Sequence, residues 1–134
     1  MSTRSSPASS AEAARRGILD VDRSYAFILS AARHRRFVSF GMVADENGAP
    51  WPSVRLAIGG HLKAVCALSL SRSGPLVSSI VVNARHVSTG AMEPETRAGF
   101  LSAARDLGFH WQDGEAFLRD HQAATFGFAA RADD

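Results

Sequence analysis

The sequence predicts a mainly helical α+β chain, and three observations carry that reading. Apolar residues recur at helical spacing in four separate segments. One compact run of aliphatic and β-branched residues, Leu76 to Val82, reads as a strand. Clusters of Gly, Pro, Asn and Asp punctuate the chain between these pieces. With 134 residues, 46% hydrophobic and 21% charged, the chain can bury one core of modest size. Residues 1–20 are polar and rich in Ser, Ala and Arg, and read as a disordered tail. The domain is expected over residues 21–128, with 129–134 as a short C-terminal tail.

Ser24 is the expected N-cap of a first helix through about His34, with Phe27, Ile28, Ala31 and Ala32 facing inward. The run Arg33-His34-Arg35-Arg36 closes it, either as a solvated helix end favoured by the dipole or as a contact surface. Residues 37–40, FVSF, are β-prone, and Ser39 can cap a short helix from Phe40 to about Asp45. Asp45-Glu46-Asn47-Gly48 is a turn signal that Pro50 and Pro52 extend. Ser53 is the expected cap of a long helix reaching Ser71, on which Val54, Ile58, Leu62, Val65 and Ser69 share one stripe. Gly59-Gly60 within it marks a close approach of two elements or a bend.

Gly74 and Pro75 end that helix, and the strand Leu76–Val82 comes next. The loop from Asn83 to Glu93 should turn at Gly90, with part of it returning as a short second strand. Pro94 suits the first turn of a further helix, with Phe100, Leu101, Ala104 and Leu107 inward and Gly108 at its end. A last helix is expected from about Gly114 to Ala124, with Phe126 and Phe128 pinning the C-terminal tail to the core.

Charge is unevenly placed along the chain. Residues 23–90 carry eight basic and two acidic groups, whereas residues 91–134 carry four basic and eight acidic ones. Either the basic half meets a polyanion or the two halves neutralise each other. Fourteen of the fifteen basic residues are Arg, whose planar fork suits phosphate and carboxylate. No apolar segment is long enough to span a membrane, and the N-terminus lacks the apolar core of a secretory signal. The single cysteine, Cys66, lies among apolar neighbours where a thiol is inert packing; one cysteine fits a cytoplasmic location.

The order is helix, β-prone piece, short helix, long helix, strand, polar loop, then two more helices. This is the plan of a winged helix-turn-helix domain with a short β-wing and extra C-terminal helices, whose third helix enters a DNA groove while the wing touches the backbone. On that plan the contacting set is Arg55, Lys63, Arg85 and His86, with Ser53 and Arg72 secondary. Asn83 either bonds the turn backbone or reaches a ligand.

A resemblance accompanies this reading. Phe40-Gly41-Met42-Val43-Ala44 resembles the pattern that starts the short helix of alkyltransferase-like DNA-binding domains. The span from Tyr25 to Phe126 is similar to a group of small bacterial winged-helix-like proteins. It carries Pro75-Leu76-Val77-Ser78-Ser79-Ile80-Val81-Val82-Asn83, then Thr89-Gly90, then Asp106-Leu107-Gly108. The alkyltransferases place a reactive cysteine at the start of the strand, and Pro75-Leu76-Val77 has none. The resemblance therefore implies a DNA-binding scaffold without alkyl transfer.

No other chemistry stands out. The histidines (34, 61, 86, 110 and 121) show no metal-ligand spacing, no Gly-x-Ser-x-Gly elbow occurs, and Gly59-Gly60 lacks the Lys and hydroxyl of a phosphate cradle. No catalytic residue, metal or cofactor is therefore assigned. The expected function is non-catalytic binding of nucleic acid, double-stranded DNA above all. The alternative is a protein-binding adaptor in a phage-defence or mobile-element system, using the acidic C-terminal helices. Homodimerisation is a further expectation, without a heptad or apolar patch to show how.

Overall fold

The computed structural model describes residues 19–132; the expected tail over residues 1–18 and the last two residues lie outside them. The first helix, α1 (Val21–Arg33), starts earlier than the sequence implied. Its N-cap is Asp20, whose side chain accepts from the Arg23 backbone N–H, while Ser24 is fully buried inside the helix. Strand β1 (Val38–Ser39) leads into α2 (Phe40–Glu46), which Ser39 caps as its residue type predicts: its hydroxyl accepts from Met42 N–H at 3.1 Å.

The expected long helix is two pieces. A single turn, α3 (Trp51–Val54), has Pro50 at its N-cap position, so Ser53 lies within the turn and caps nothing. Residues 55–57 then bend before α4 (Ile58–Ser71). Pro50 and Pro52 start the turn early, because proline suits a first helical turn where its missing N–H costs nothing. The apolar stripe survives the break: Val54, Ile58, Leu62, Val65 and Ser69 are all buried.

The largest departure concerns the expected strand. Only Val81–Val82 is extended (β2); Val77–Ile80 is wound as a 3-10 turn closed by Ser79 N–H to Leu76 O. An aliphatic run buried on all sides does not reveal its own winding. β2 pairs in parallel with β1, Val38 opposite Val81 and Ser39 opposite Val82. The loop expected to return as a wing strand instead holds a 3-10 turn, Ala84–His86, and a turn ending at Gly90. Gln122 ties these two turns together: its side-chain NH2 donates to both Ser79 O and Gly90 O, which satisfies two carbonyls outside any strand.

Helix α5 (Pro94–Asp106) matches its expected bounds. Helix α6 (Gly114–Ala132) runs past residue 124, buries Phe126 and Ala129, and so carries the chain beyond residue 128 as part of the packed body. Asp113 starts it by accepting from Ala116 N–H. The main core gathers α1, α4, β1, Val77–Val81 and α6, with Ile28, Val65 and Ile80 fully enclosed. Each such side chain contributes about 1.5–3 kcal/mol relative to exposure. A second cluster joins Cys66, Leu76, Phe100, Ala104 and Leu118. Among the described residues no helix is long and apolar enough to cross a membrane.

Candidate nucleic-acid interface

The predicted contact residues differ in what they touch. Lys63 bridges α4 to α5 through Asp106 at 3.1 Å. Arg72 stacks over the Tyr25 ring at 5.0 Å and reaches Asp22 at 3.9 Å. Arg85 bonds Glu93 at 2.6 Å, and His86 Nε2 lies 3.6 Å from the same carboxylate. Asn83 Oδ1 accepts from Thr96 Oγ1 at 2.9 Å and from Glu93 N–H at 3.4 Å. Ser53 and Arg55 are exposed at the bend before α4, and Arg55 has no carboxylate partner among the described residues.

Four of the seven residues are thus within 4 Å of an acid from the other half of the charge asymmetry or, for Arg72, from the start of α1. The acidic side of the balance is engaged in the same way: Glu93, Asp106 and Glu115 all hold cations, Glu115 both Arg97 at 3.0 Å and Arg119 at 2.8 Å. Such exposed pairs add little stability, about 0–1 kcal/mol each, but they lower the net field that a partner would feel. The reach of Glu93 back to Arg85 and His86 depends on the loop folding over.

A different set of cations stands open. α1 ends with Arg35 N–H on Ala32 O and Arg36 N–H on Ala31 O, the paired bonds that close a helix through one left-handed residue. That residue is Arg35, at φ +55, where glycine is the unstrained choice. The conformation costs about 1–2 kcal/mol for a residue with a Cβ. The Arg35 guanidinium lies 5.0 Å from the centre of the Phe126 ring, a contact worth about 0.5–1 kcal/mol at an exposed site. Arg35 and Arg36 make no ion pair among the described residues. Phe37, next in the chain, packs edge-on against Phe126 and also against Gly90, whose missing Cβ makes room for the ring. The 34–36 turn and the 86–90 turn therefore meet at Phe37.

Two buried polar clusters complete the electrostatics. Ser24 Oγ lies 2.7 Å from His61 Nε2 and accepts from Asn47 Nδ2 at 2.9 Å, which leaves the serine hydrogen for the imidazole. Asn47 Oδ1 in turn accepts from Asp20 N–H. Burial pushes the His61 pKa down, against a raising pull from Asp20. With Ser24 fully enclosed, no substrate can reach this Ser–His pair, and it braces α1 against α2 and α4. His121 Nδ1 accepts from Leu76 N–H at 3.1 Å, with its ring set against Phe109 and Phe117. Burial lowers its pKa too, opposed by Asp120. Burial raises the Cys66 thiol, partly offset by bonds to Ser78 and Val77, and the thiol is enclosed, as its apolar neighbours implied.

Beside Lys63 a cleft of about 400 Å³ opens between α4 and α5, floored by Ser78 and Val81. The fold and these surfaces define a mainly helical domain around a short parallel strand pair. No family model matches the chain, and no curated protein or solved structure matches it.

Proposed function

We propose that this chain is a non-catalytic nucleic-acid-binding domain that presents the turn at residues 34–36 to a phosphate backbone. The observation that carries the reading is Arg35, a strained left-handed residue at a helix end where a guanidinium replaces glycine and no carboxylate among the described residues answers it. Strain kept at an exposed position is a pointer to function. Arg36 adds a second open fork, and the 86–90 turn brings His86 to the neighbouring turn, with Arg85 just before it still three-quarters exposed despite its bond to Glu93. The order α1, α2, α4, β2 supports the helix-turn-helix-like scaffold. The role expected of α4 shrinks, because its exposed side offers Gly60, Ala64 and Ala67 rather than cations.

Fluorescence anisotropy of a random 20-base-pair duplex at low salt tests this. Wild-type protein should bind at micromolar concentration with steep salt dependence. Reversing Arg35 and Arg36 together (Arg35→Glu, Arg36→Glu) should weaken binding at least tenfold and lower the salt slope by about 1.8, the release expected for two phosphates. Lys63→Ala, whose cation already has an acid, should stay within about twofold. Absence of binding at about 100 µM protein would overturn the reading, and so would a Lys63→Ala loss equal to that of the double reversal.

A further inference from the structure

The cleft between α4 and α5 is built unlike the rest of the surface. Three of its wall positions are glycines in helices: Gly59 and Gly60 on α4, and Gly99 on α5. A Cβ added at any of them meets nothing within 4 Å, so neither packing nor backbone conformation demands glycine there. Glycine in a helix interior, where Gly99 stands, costs about 1 kcal/mol relative to Ala, and what the three glycines leave beside the cleft is open space. The floor and remaining walls are apolar, with Phe40, Leu62, Val81, Met92 and Phe100. A volume of about 400 Å³ lies in the range of pockets that enclose small organic ligands.

The charges of the cleft select the ligand. Its lining holds one cation, Lys63, and two carboxylates, Glu95 and Asp106. Lys63 and Asp106 neutralise each other at 3.1 Å, while Glu95 has no partner among the described residues. One negative charge is left over beside an apolar chamber, which disfavours phosphate or carboxylate ligands and favours a single positive head group. We propose that the cleft binds a small organic cation: a flat apolar body lying on the glycine-faced walls and an ammonium group paired with Glu95. This site is separate from the basic turn and does not rest on the nucleic-acid reading.

Titration calorimetry and amide NMR shifts with three indole probes of matched shape test it: tryptamine (cationic), tryptophol (neutral) and indole-3-acetate (anionic). Tryptamine should bind saturably, about tenfold more tightly than tryptophol, and indole-3-acetate most weakly. Glu95→Gln should bring tryptamine down to the tryptophol level and leave tryptophol unchanged. Gly99→Leu, at an exposed helical position with room for the side chain, should abolish binding of tryptamine and tryptophol without touching DNA affinity. Equal affinities for all three probes, tryptamine binding insensitive to Glu95→Gln, or no saturable binding up to millimolar concentration would each overturn the proposal.

Discussion

Helices α1 and α5 end in the same hydrogen-bond pattern but with opposite chemistry at the decisive residue. In α5, Gly108 takes the left-handed position at φ +99, with Gly108 N–H on Arg105 O and Phe109 N–H on Ala104 O. In α1 the equivalent place belongs to Arg35 at φ +55. One end is relaxed and turns the chain into the second core cluster. The other carries strain and leaves Arg35 and Arg36 exposed, without an ion pair among the described residues. The difference teaches that a helix terminator can be chosen for closure alone or for what its side chain displays. Gly90, at φ +78 and packed under Phe37, is a further left-handed position, set where the 34–36 and 86–90 turns meet.

The largest effect should come from Gly90→Ala, which combines a left-handed Cβ with a clash into the Phe37 ring. Left-handed strain of about 1–2 kcal/mol and overpacking of about 1–3 kcal/mol should together cost about 2–5 kcal/mol. Thermal unfolding should show a Tm lowered by roughly 10 °C. A loss under about 1 kcal/mol, the lower bound of either cost alone, would mean that Phe37 swings away freely and that the two turns are not held together.

Acid should test the two imidazoles that brace α1 and α6. His61 ties α4 to α1 through Ser24, and His121 ties Leu76 to α6 beside Phe109, the residue after Gly108. Both imidazoles have pKa values lowered by burial, so the folded state resists a proton that the unfolded chain takes up. Stability should therefore be full above about pH 6.5, the ordinary histidine value. It should fall as the pH drops below that point, until the lowered pKa values are passed. Urea unfolding from pH 7.5 to 5 measures this, and His121→Gln should remove its share of the slope. Stability that rises on acidification would reverse the sign and refute the burial argument.

Much of this was legible in the sequence, and the reasons for the rest are physical. Ser39 as a cap, the helix beginning at Pro94, the apolar stripe from Val54 to Ser69 and the enclosure of Cys66 derive from local rules of side-chain chemistry and periodicity. The winding of Val77–Ile80 does not, because it depends on Gln122 and Thr125 of α6 reaching across to Ser79. The end of α4 was only half legible: Gly74 does stand there, but Ser73 takes the left-handed place at φ +64, and Gly74 is glycine because a Cβ would strike Ser69 and Phe128. The interface was legible only as a region. Segment charge counts pointed to residues 23–90, and pairing in space, which no local rule supplies, sets Lys63, Arg72 and Arg85 beside carboxylates and leaves Arg23, Arg35, Arg36 and Arg55 without one among the described residues.

The smallest stability effects separate the two helix ends most cleanly. Gly108→Ala adds a Cβ that meets nothing within 4 Å, so its cost is backbone strain alone, about 1–2 kcal/mol. Arg35→Gly runs the substitution the other way. It relieves similar strain, but glycine's greater freedom in the unfolded chain returns about 0.5–1 kcal/mol, and the lost contact with Phe126 returns about 0.5–1 kcal/mol more. The net change should lie within about 1 kcal/mol of zero, while on the proposed reading DNA affinity should fall severalfold with the loss of one phosphate contact. Chemical denaturation and anisotropy on the same samples give both numbers. Unchanged affinity in a protein of unchanged stability would show that Arg35 only closes its helix, as Gly108 does, and the asymmetry between the two ends would lose its functional meaning.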